Sequence, residues 1–350
     1  MNIKRLTLKN FRNHLNVSFD FKQGINVITG NNGVGKTNIV EAIHYLSIAR
    51  SFRTQDDNDL IGNNKDNGEI FAFIKEGDIS RKIQILFSKN KRIIIINGKS
   101  AKKVSDLSKC VNVLLFEPKD VLLFKGSPKA RRDFLDINIS KKSIIYLEMI
   151  SRYEKALKQR NDILKQEEVD LVLLESITEI LIDLSKSIIK SRMEYLKDIN
   201  DILIKLTRAI AGNNIDVQLT YQPFVALDDK YEENAKNAFK STLENDLKRK
   251  ATSIGVHRED ISVSLKGHDI ATYGSQGENR LVALALKLSP YFLIENKEKR
   301  PIIVLDDVMS ELDQAHRLRL IKLLDKFEQV FITATRLDIK DAVQYHLQAK

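Results

Sequence analysis

A glycine-rich segment near the N-terminus has the residue types and spacing of a phosphate-binding loop. It matches G-x-x-x-x-G-K-[ST] at every fixed position and reads Gly30-Asn31-Asn32-Gly33-Val34-Gly35-Lys36-Thr37, followed by Asn38. In such a loop, backbone N–H groups converge on a phosphate, the lysine reaches the β- and γ-phosphate oxygens, and the threonine hydroxyl ligates Mg²⁺. An apolar run precedes the loop and helical spacing follows it, which is the context this motif requires. The sequence therefore predicts a nucleoside triphosphate site with Mg²⁺.

A second group of chemically competent residues lies far downstream. The apolar run 301–305 ends in Asp306-Asp307. A carboxylate at Asp306 can hold Mg²⁺ opposite Thr37, and Asp307 can orient an attacking water. Read alone, the pair is a turn that caps a helix. Because the same chain has a phosphate-binding loop, the metal-binding interpretation of Asp306-Asp307 is favoured. Lys36 and Asp307 are the candidate catalytic residues.

Between these two segments, Ser275-Gln276-Gly277 opens a helical pattern. A serine N-cap followed by glycine makes a helix terminus that is favourable to anions. Ordinary helix capping is the alternative interpretation.

Composition limits the class of protein. The chain has 350 residues, of which 43% are hydrophobic and 30% charged, as in a soluble protein of one or two domains. Its formal net charge of +10 is consistent with a polyanion partner such as nucleic acid, and by itself it fits a well-solvated surface equally well. Cys110 is the single cysteine, which excludes an intramolecular disulfide. No signal peptide and no apolar stretch long enough to span a bilayer are present, so we expect a cytoplasmic protein without a membrane partner.

Periodicity divides the chain into three parts. Strand and helix patterns alternate at both ends, and a region without glycine or proline, 143–211, carries helical spacing between them. The pattern predicts an α/β core, here called the head, that is built from both chain ends and carries an inserted mainly helical lobe. The expected boundaries are 1–117 for the first part of the head, 118–255 for the lobe and 256–350 for the second part of the head.

The order of these motifs resembles the ATPase heads of the ABC class that includes the SMC proteins. Ser310-Glu311-Leu312-Asp313 resembles the D-loop of that class, and Asn10-Phe11-Arg12-Asn13 resembles its N-terminal motif, whose arginine lies near the phosphates. The resemblance implies nucleotide contacts for Arg12 and Asn13 and D-loop roles for Ser310 and Asp313. It also implies that Ser275, Gln276 and Gly277 act in trans, on ATP bound to a partner subunit.

Further segments resemble the bacterial RecF family and spread over nearly the whole chain. They include Phe116-Glu117-Pro118, Arg131-Arg132-Asp133-Phe134-Leu135-Asp136 and Gly255-Val256-His257-Arg258-Glu259-Asp260. This resemblance implies an ATP-dependent homodimer that binds double-stranded DNA and ss/dsDNA junctions, with weak DNA-stimulated ATP hydrolysis. It further implies cooperation with RecR and RecO in loading RecA during recombinational repair and the SOS response.

Two positions depart from the ABC pattern, and the assignment of a third is open. Asp307 stands where a glutamate is usual, which fits a slow switch. No histidine follows 330–332, so Thr333 is expected to sense the γ-phosphate. Gln55 is a candidate Q-loop residue whose assignment stays open.

Basic residues cluster at several places, and each cluster is by default a solvated helix face. Lys129, Arg131 and Arg132 are nevertheless the candidate DNA-contacting residues, because the net charge is positive and the resembled family binds DNA. No aromatic stacking pattern accompanies them, which favours duplex over single-stranded DNA.

Two other functions remain open. A nucleotide-binding subunit of another ABC machine, such as a transporter, would have a short helical insert and a membrane partner. A non-hydrolysing DNA scaffold would hold ATP only as a structural ligand. A filament of SMC type is disfavoured because the insert lacks long heptads.

Overall fold

The computed structural model describes residues 1–212 and 215–348, apart from the side chain of Ser105. In these ranges the strands are β1 Asn2–Phe11, β2 His14–Asp20, β3 Gly24–Gly30, β4 Asn67–Glu76, β5 Ile79–Ser88, β6 Lys91–Ile96, β7 Lys99–Ser100, β8 Val113–Phe116, β9 Val217–Gln222, β10 Asp260–Leu265, β11 His268–Asp269, β12 Ile302–Leu305, β13 Gln329–Ala334 and β14 Val343–Leu347. The α-helices are α1 Lys36–Ile48, α2 Ser105–Ser108, α3 Pro128–Lys142, α4 Ile144–Leu164, α5 Leu171–Ala211, α6 Tyr231–Arg249, α7 Ile270–Tyr273, α8 Gln276–Leu288 and α9 Gln314–Leu324.

The chain packs as two compact units. Unit 1 contains Met1–Val121, Leu206–Asn213 and Leu284–Lys350, and unit 2 contains Leu122–Lys205 and Asn214–Ala283. Residues 256–283, which the sequence analysis grouped with the ATPase head, fall in unit 2. Their strand β10 pairs with β9 along its whole length, and this pairing explains the grouping.

Unit 1 contains two sheets. The phosphate-binding loop follows a five-stranded sheet of order β14-β3-β13-β12-β8, in which every pairing is parallel. The second sheet has six strands, in the order β2-β1-β4-β5-β6-β7, and its pairings are antiparallel. Parallel strands end at a common edge, so the loop after β3, Asp306 after β12 and the end of β13 meet there.

Helix α1 supplies the hydrophobic centre of unit 1. Ile39, Val40, Ile43 and Leu46 recur at helical spacing and are fully buried in one cluster with residues of both sheets. Burial of these side chains contributes about 1.5–3 kcal/mol each, which holds the helix that begins at Lys36 against the sheet edge.

Unit 2 is mainly helical and includes a three-stranded sheet of order β11-β10-β9. The helical pattern over 143–211 forms α4 and α5, which are separated at residues 165–170. The predicted apolar stripe of α5 is buried at Ile199, Leu203 and Ile210. The α/β class with a helical insertion is thus confirmed.

Within the part of the chain that the structure describes, no helix is both long and apolar enough to cross a bilayer.

Candidate nucleotide site

The phosphate-binding loop is shaped by glycine and by the β1–β2 turn beneath it. Gly35 has φ 103° and serves as the N-cap of α1. A Cβ at Gly35 would lie 2.5 Å from Oδ1 of Asn13 and 2.7 Å from Nε2 of His14, so any side chain there would collide. Nδ2 of Asn13 donates to the Gly33 carbonyl at 3.2 Å, and Nδ2 of Asn38 donates to Asn13 Oδ1 at 2.7 Å. Asn13 therefore braces the loop.

Lys36 lies across the loop that it terminates. Its ammonium donates to the Gly30 carbonyl at 2.8 Å and to the Asn31 carbonyl at 2.9 Å. Both bonds run back over the loop, so the charge stands above the backbone N–H groups that can cradle a phosphate. This placement fits the predicted role of Lys36 toward the β- and γ-phosphates.

Thr37 and Asp306, which are far apart in sequence, meet at the sheet edge. The Thr37 hydroxyl donates to Asp306 Oδ1 at 3.2 Å. Asp306 is 4% exposed, and burial raises its carboxyl pKa, while hydrogen bonds from Thr333 and Thr37 act in the opposite direction. A hydroxyl and a carboxylate oxygen this close are ligands that suit Mg²⁺, which usually takes one or two carboxylates together with phosphate oxygens. The residues present therefore fit the cation.

The hydroxyl of Thr333, the expected γ-phosphate sensor, contacts both aspartates that follow β12. Thr333 is 1% exposed, and its hydroxyl donates to Asp306 Oδ1 at 2.6 Å. The Thr333 hydroxyl oxygen accepts from the Asp307 N–H at 2.9 Å. The hydroxyl proton is therefore committed to the Asp306 carboxylate. Thr333 thus orients Asp306 and the backbone of Asp307, and its role as a γ-phosphate sensor stays a prediction.

Asp307 and the D-loop residues lie on the exposed side of the same edge. Asp307 is exposed, and its φ of 51° turns the chain away from β12. Ser310 donates its hydroxyl to the Asp307 carbonyl at 2.9 Å. Asp313 caps α9 by accepting from the His316 N–H at 2.9 Å. The geometry leaves the Asp307 carboxylate accessible, and its catalytic role stays a prediction.

Arg12 contacts a buried acid that the sequence analysis missed. Its guanidinium bonds both carboxylate oxygens of Glu41, at 2.6 and 2.9 Å, and donates to the Asp59 carbonyl at 2.8 Å. A phosphate contact by Arg12 would require this ion pair to open. Glu41 is fully buried and also accepts from Ser51 at 2.5 Å and Arg53 at 3.4 Å.

A signal for Glu41 was present in the sequence. It stands among the apolar residues of α1, adjacent to Val40 and close to the buried stripe, where an acid needs a cationic partner. Arg53, whose Nη1 also donates to Asn38 Oδ1 at 2.7 Å, brings a second guanidinium beside the loop. Gln55 is exposed in the same connecting segment, and its Q-loop role stays a prediction.

The signature residues belong to unit 2 and form a capping box. The Ser275 hydroxyl accepts from the Glu278 N–H at 3.2 Å, and the Glu278 carboxylate accepts from the Ser275 N–H at 3.0 Å. Ser275, Gln276 and Gly277 are exposed. A Cβ at Gly277 would meet nothing within 4 Å, so packing within this chain does not explain the glycine. An outside group that approaches the helix terminus would explain it.

The candidate DNA-contacting residues on α3 separate in the structure. Lys129 is exposed and pairs with Asp133 at 2.7 Å. Arg131 is 6% exposed, bonds Asp260 through two nitrogens at 2.7 Å, and donates to the carbonyls of residues 123, 124 and 126. Arg132 is half-buried and donates to the Glu259 carbonyl at 2.7 Å. The prediction for Arg131 is wrong, because its donors are bound inside unit 2.

Comparison with known proteins identifies the family of this chain. The RecF/RecN/SMC N terminal domain family matches residues 2–347. The chain is 35% identical to the DNA replication and repair protein RecF of Streptococcus pneumoniae over 342 residues, covering 96% of this chain and 93% of that protein. It is 34% identical to RecF of Halalkalibacterium halodurans over 347 residues, covering 97% and 94%.

Solved structures of RecF and of an Smc head domain resemble this chain. A structure of the recombination mediator protein RecF with ATP, from the RecFOR pathway, aligns with a TM-score of 0.85 and 31% identity over 99% of this chain and 97% of that one. The Smc head domain of Pyrococcus furiosus aligns with a TM-score of 0.58 and 21% identity, over 95% and 89% of the two chains, and shares the fold. The chain therefore belongs to the RecF family of SMC-like ABC-class ATPases.

Proposed function

We propose that this chain is an ATP-dependent DNA-binding recombination mediator. The observation that carries the proposal is the convergence of Lys36, Thr37 and Asp306 at one edge of the parallel sheet, with the Thr37 hydroxyl 3.2 Å from the Asp306 carboxylate. Together with the RecF relatives and the net charge of +10, it supports an ATP site in a protein that acts on DNA.

Each residue has a part in binding ATP. Lys36 exchanges its two loop carbonyls for phosphate oxygens, and the loop N–H groups hold the phosphates. Thr37 and Asp306 hold Mg²⁺, which neutralises phosphate charge when bound. Thr333 keeps the Asp306 carboxylate oriented. Asp307, with a shorter side chain than glutamate, positions water less closely and gives slow, DNA-stimulated hydrolysis.

ATP also joins two copies of the chain. Ser275 and Gly277 lie exposed at the start of α8, where the helix dipole attracts an anion. The Ser275 hydroxyl donates to Glu278 Oε2 at 2.9 Å, and it turns to the anion when that bond opens. The anion is the γ-phosphate of ATP held by a second copy, with Ser310 and Asp313 at the same interface. Closure around double-stranded DNA at gaps and junctions, in cooperation with RecR and RecO, leads to RecA loading in the cytoplasm. Hydrolysis reopens the dimer.

Analytical ultracentrifugation tests this function. With ATP, Mg²⁺ and duplex DNA, the wild-type protein should sediment as a dimer, and with ADP as a monomer. Ser275→Arg should remain monomeric while it binds ATP normally, because Lys36 and Asp306 are unchanged. Ser275→Thr keeps the hydroxyl and the helix cap, and it should dimerise. A wild-type protein that stays monomeric in ATP and DNA would overturn the trans arrangement.

A further inference from the structure

A basic groove lies within unit 1, away from the phosphate-binding loop in sequence. It has a volume of about 420 Å³ and is lined by four cationic side chains, Arg208, Arg319, Lys322 and Lys326. We call these four residues the basic groove. All four are exposed. Among the described residues that line the groove, none is acidic, and Ala209, Gly212 and Leu323 complete it.

Three of the cations share one face of α9 and its continuation. Arg319, Lys322 and Lys326 follow one another by three and four residues, which places them on the same side of a helix. The turn after the helix keeps this direction, since the Lys326 N–H donates to the Leu323 carbonyl at 3.0 Å. The row spans about 10 Å at 1.5 Å per residue.

Arg319 is held in place at the end of α5. Its Nη1 donates to the Ala211 carbonyl at 2.9 Å. Gly212 follows at φ +112°, a backbone conformation that residues with a side chain rarely adopt. This bond uses one of the five N–H donors of arginine and offsets the negative end of the α5 dipole. The groove therefore presents fixed charge rather than only mobile side chains.

The chemistry of the groove matches a nucleic-acid backbone. Each DNA strand carries one phosphate per about 3.4 Å of helix axis, so about three phosphates of a strand fall within the length of the cationic row. The groove has no aromatic side chain on which an unpaired base could stack. It also lacks the aromatic anchors that dominate protein interfaces. These features favour a phosphate backbone over a base or a peptide.

We infer that the basic groove is a sequence-independent contact for the phosphate backbone of duplex DNA. The inference rests on the proposed function, because it assigns a binding surface to the DNA proposed there. It also replaces Arg131, whose donors are bound inside unit 2, as the place where the cationic excess meets DNA.

Salt-dependent DNA binding tests this assignment. Anisotropy of a labelled duplex with ATP and Mg²⁺ should show at least about a 10-fold loss of affinity for Lys322→Gln/Lys326→Gln. The slope of log K against log salt should fall in magnitude by about 2, since two phosphate contacts are removed. The loss of affinity of this variant should be equal for two duplexes of unrelated sequence. Lys99→Gln/Lys102→Gln, which removes the same charge from exposed positions of unit 1, should leave the slope unchanged.

Further variants separate the possible outcomes. Lys322→Arg/Lys326→Arg keeps the charge and should bind DNA as the wild type does. If the glutamine variants lost affinity only because they fold poorly, the loss would not depend on the charge of the new side chains. ATP affinity should be the same in all variants. If Lys322→Gln/Lys326→Gln binds duplex with wild-type affinity and slope, the groove assignment is overturned and the proposed function stands. If the wild-type protein binds no duplex with ATP, both are overturned.

Discussion

The Thr333 hydroxyl donates a 2.6 Å hydrogen bond to Asp306 Oδ1, the same oxygen that accepts from Thr37 at 3.2 Å. Hydrogen bonds to charged groups contribute about 1.5–3 kcal/mol. Thr333→Val should therefore lower ATP hydrolysis by about 10-fold and raise the Mg²⁺ concentration needed for half-maximal rate. Steady-state phosphate release over a Mg²⁺ titration measures both effects.

Thr333→Ser is the matched control for this change. It keeps the hydroxyl and should recover most of the rate and the Mg²⁺ response. If Thr333→Val binds ATP and hydrolyses it as the wild type does, Thr333 does not orient Asp306.

Lys36→Met should weaken nucleotide binding. The ammonium that now bonds the Gly30 and Asn31 carbonyls is the charge available to the phosphates. Loss of a charge-assisted contact should lower ATP affinity by roughly 10- to 100-fold. Titration calorimetry with ATP measures the change, and Lys22→Met, at an exposed position of the same unit, is the comparison. Lys36→Met that still closes the dimer and binds DNA with ATP would favour the scaffold interpretation.

Arg131→Gln should affect folding rather than a DNA surface. The substitution would leave Asp260 without its two-nitrogen partner inside unit 2. We expect a loss of about 3 kcal/mol in the free energy of unfolding, measured in urea, since one member of a largely buried pair is removed. Lys129→Gln, four residues from Asp133 on the helix surface, should cost less than about 1 kcal/mol. Equal losses for both substitutions would contradict the assignment.

His257 should make unit 2 sensitive to acid. Burial lowers its pKa from 6.5 to about 4. Its Nε2 lies 3.2 Å from the Thr252 carbonyl, which can only accept, so Nε2 carries the proton and Nδ1 accepts from the Tyr153 hydroxyl at 2.8 Å. Because the folded pKa is depressed, this stabilisation is fully present above pH 6.5 and is lost as the pH falls through about 4.

The pKa shift of His257 corresponds to a loss of about 3 kcal/mol across that window. Urea unfolding at pH 7, 5.5 and 4.5 for the wild type and His257→Gln isolates this contribution from that of the carboxylates. The variant should be less stable at pH 7, and its stability should fall less on acidification. Parallel pH dependences for the two proteins would show that His257 is not the group responsible.

The parts of the site that follow from local rules were predictable. The phosphate-binding loop needs only a strand, glycines and a helix start, and all three are readable within residues 24–48. The meeting of Thr37 with Asp306 follows because the loop that leads from β3 to Thr37 and the residue after β12 both lie at the carboxyl edge of the parallel sheet.

The role of Thr333 could not be predicted in this way. It depends on the pairing of β12 with β13, in which Leu305 lies opposite Ile332, and that register is a tertiary property. Arg131 is a different case, because helical spacing already placed it three and four residues before Phe134 and Leu135, on the buried face of α3. The prediction that Arg131 contacts DNA gave its positive charge more weight than its position on the apolar face of the helix.

Helix α9 has a mechanical consequence. It begins directly after Asp313, which caps it and is the proposed D-loop residue, and it carries Arg319 and Lys322 toward its other end. Its eleven residues give the helix a length of about 16 Å. A rigid helix moves as one body, so a displacement of Asp313 during the proposed dimer closure should also move Arg319 and Lys322. The nucleotide state at the start of α9 would then change the position of the proposed DNA-contacting side chains near its end.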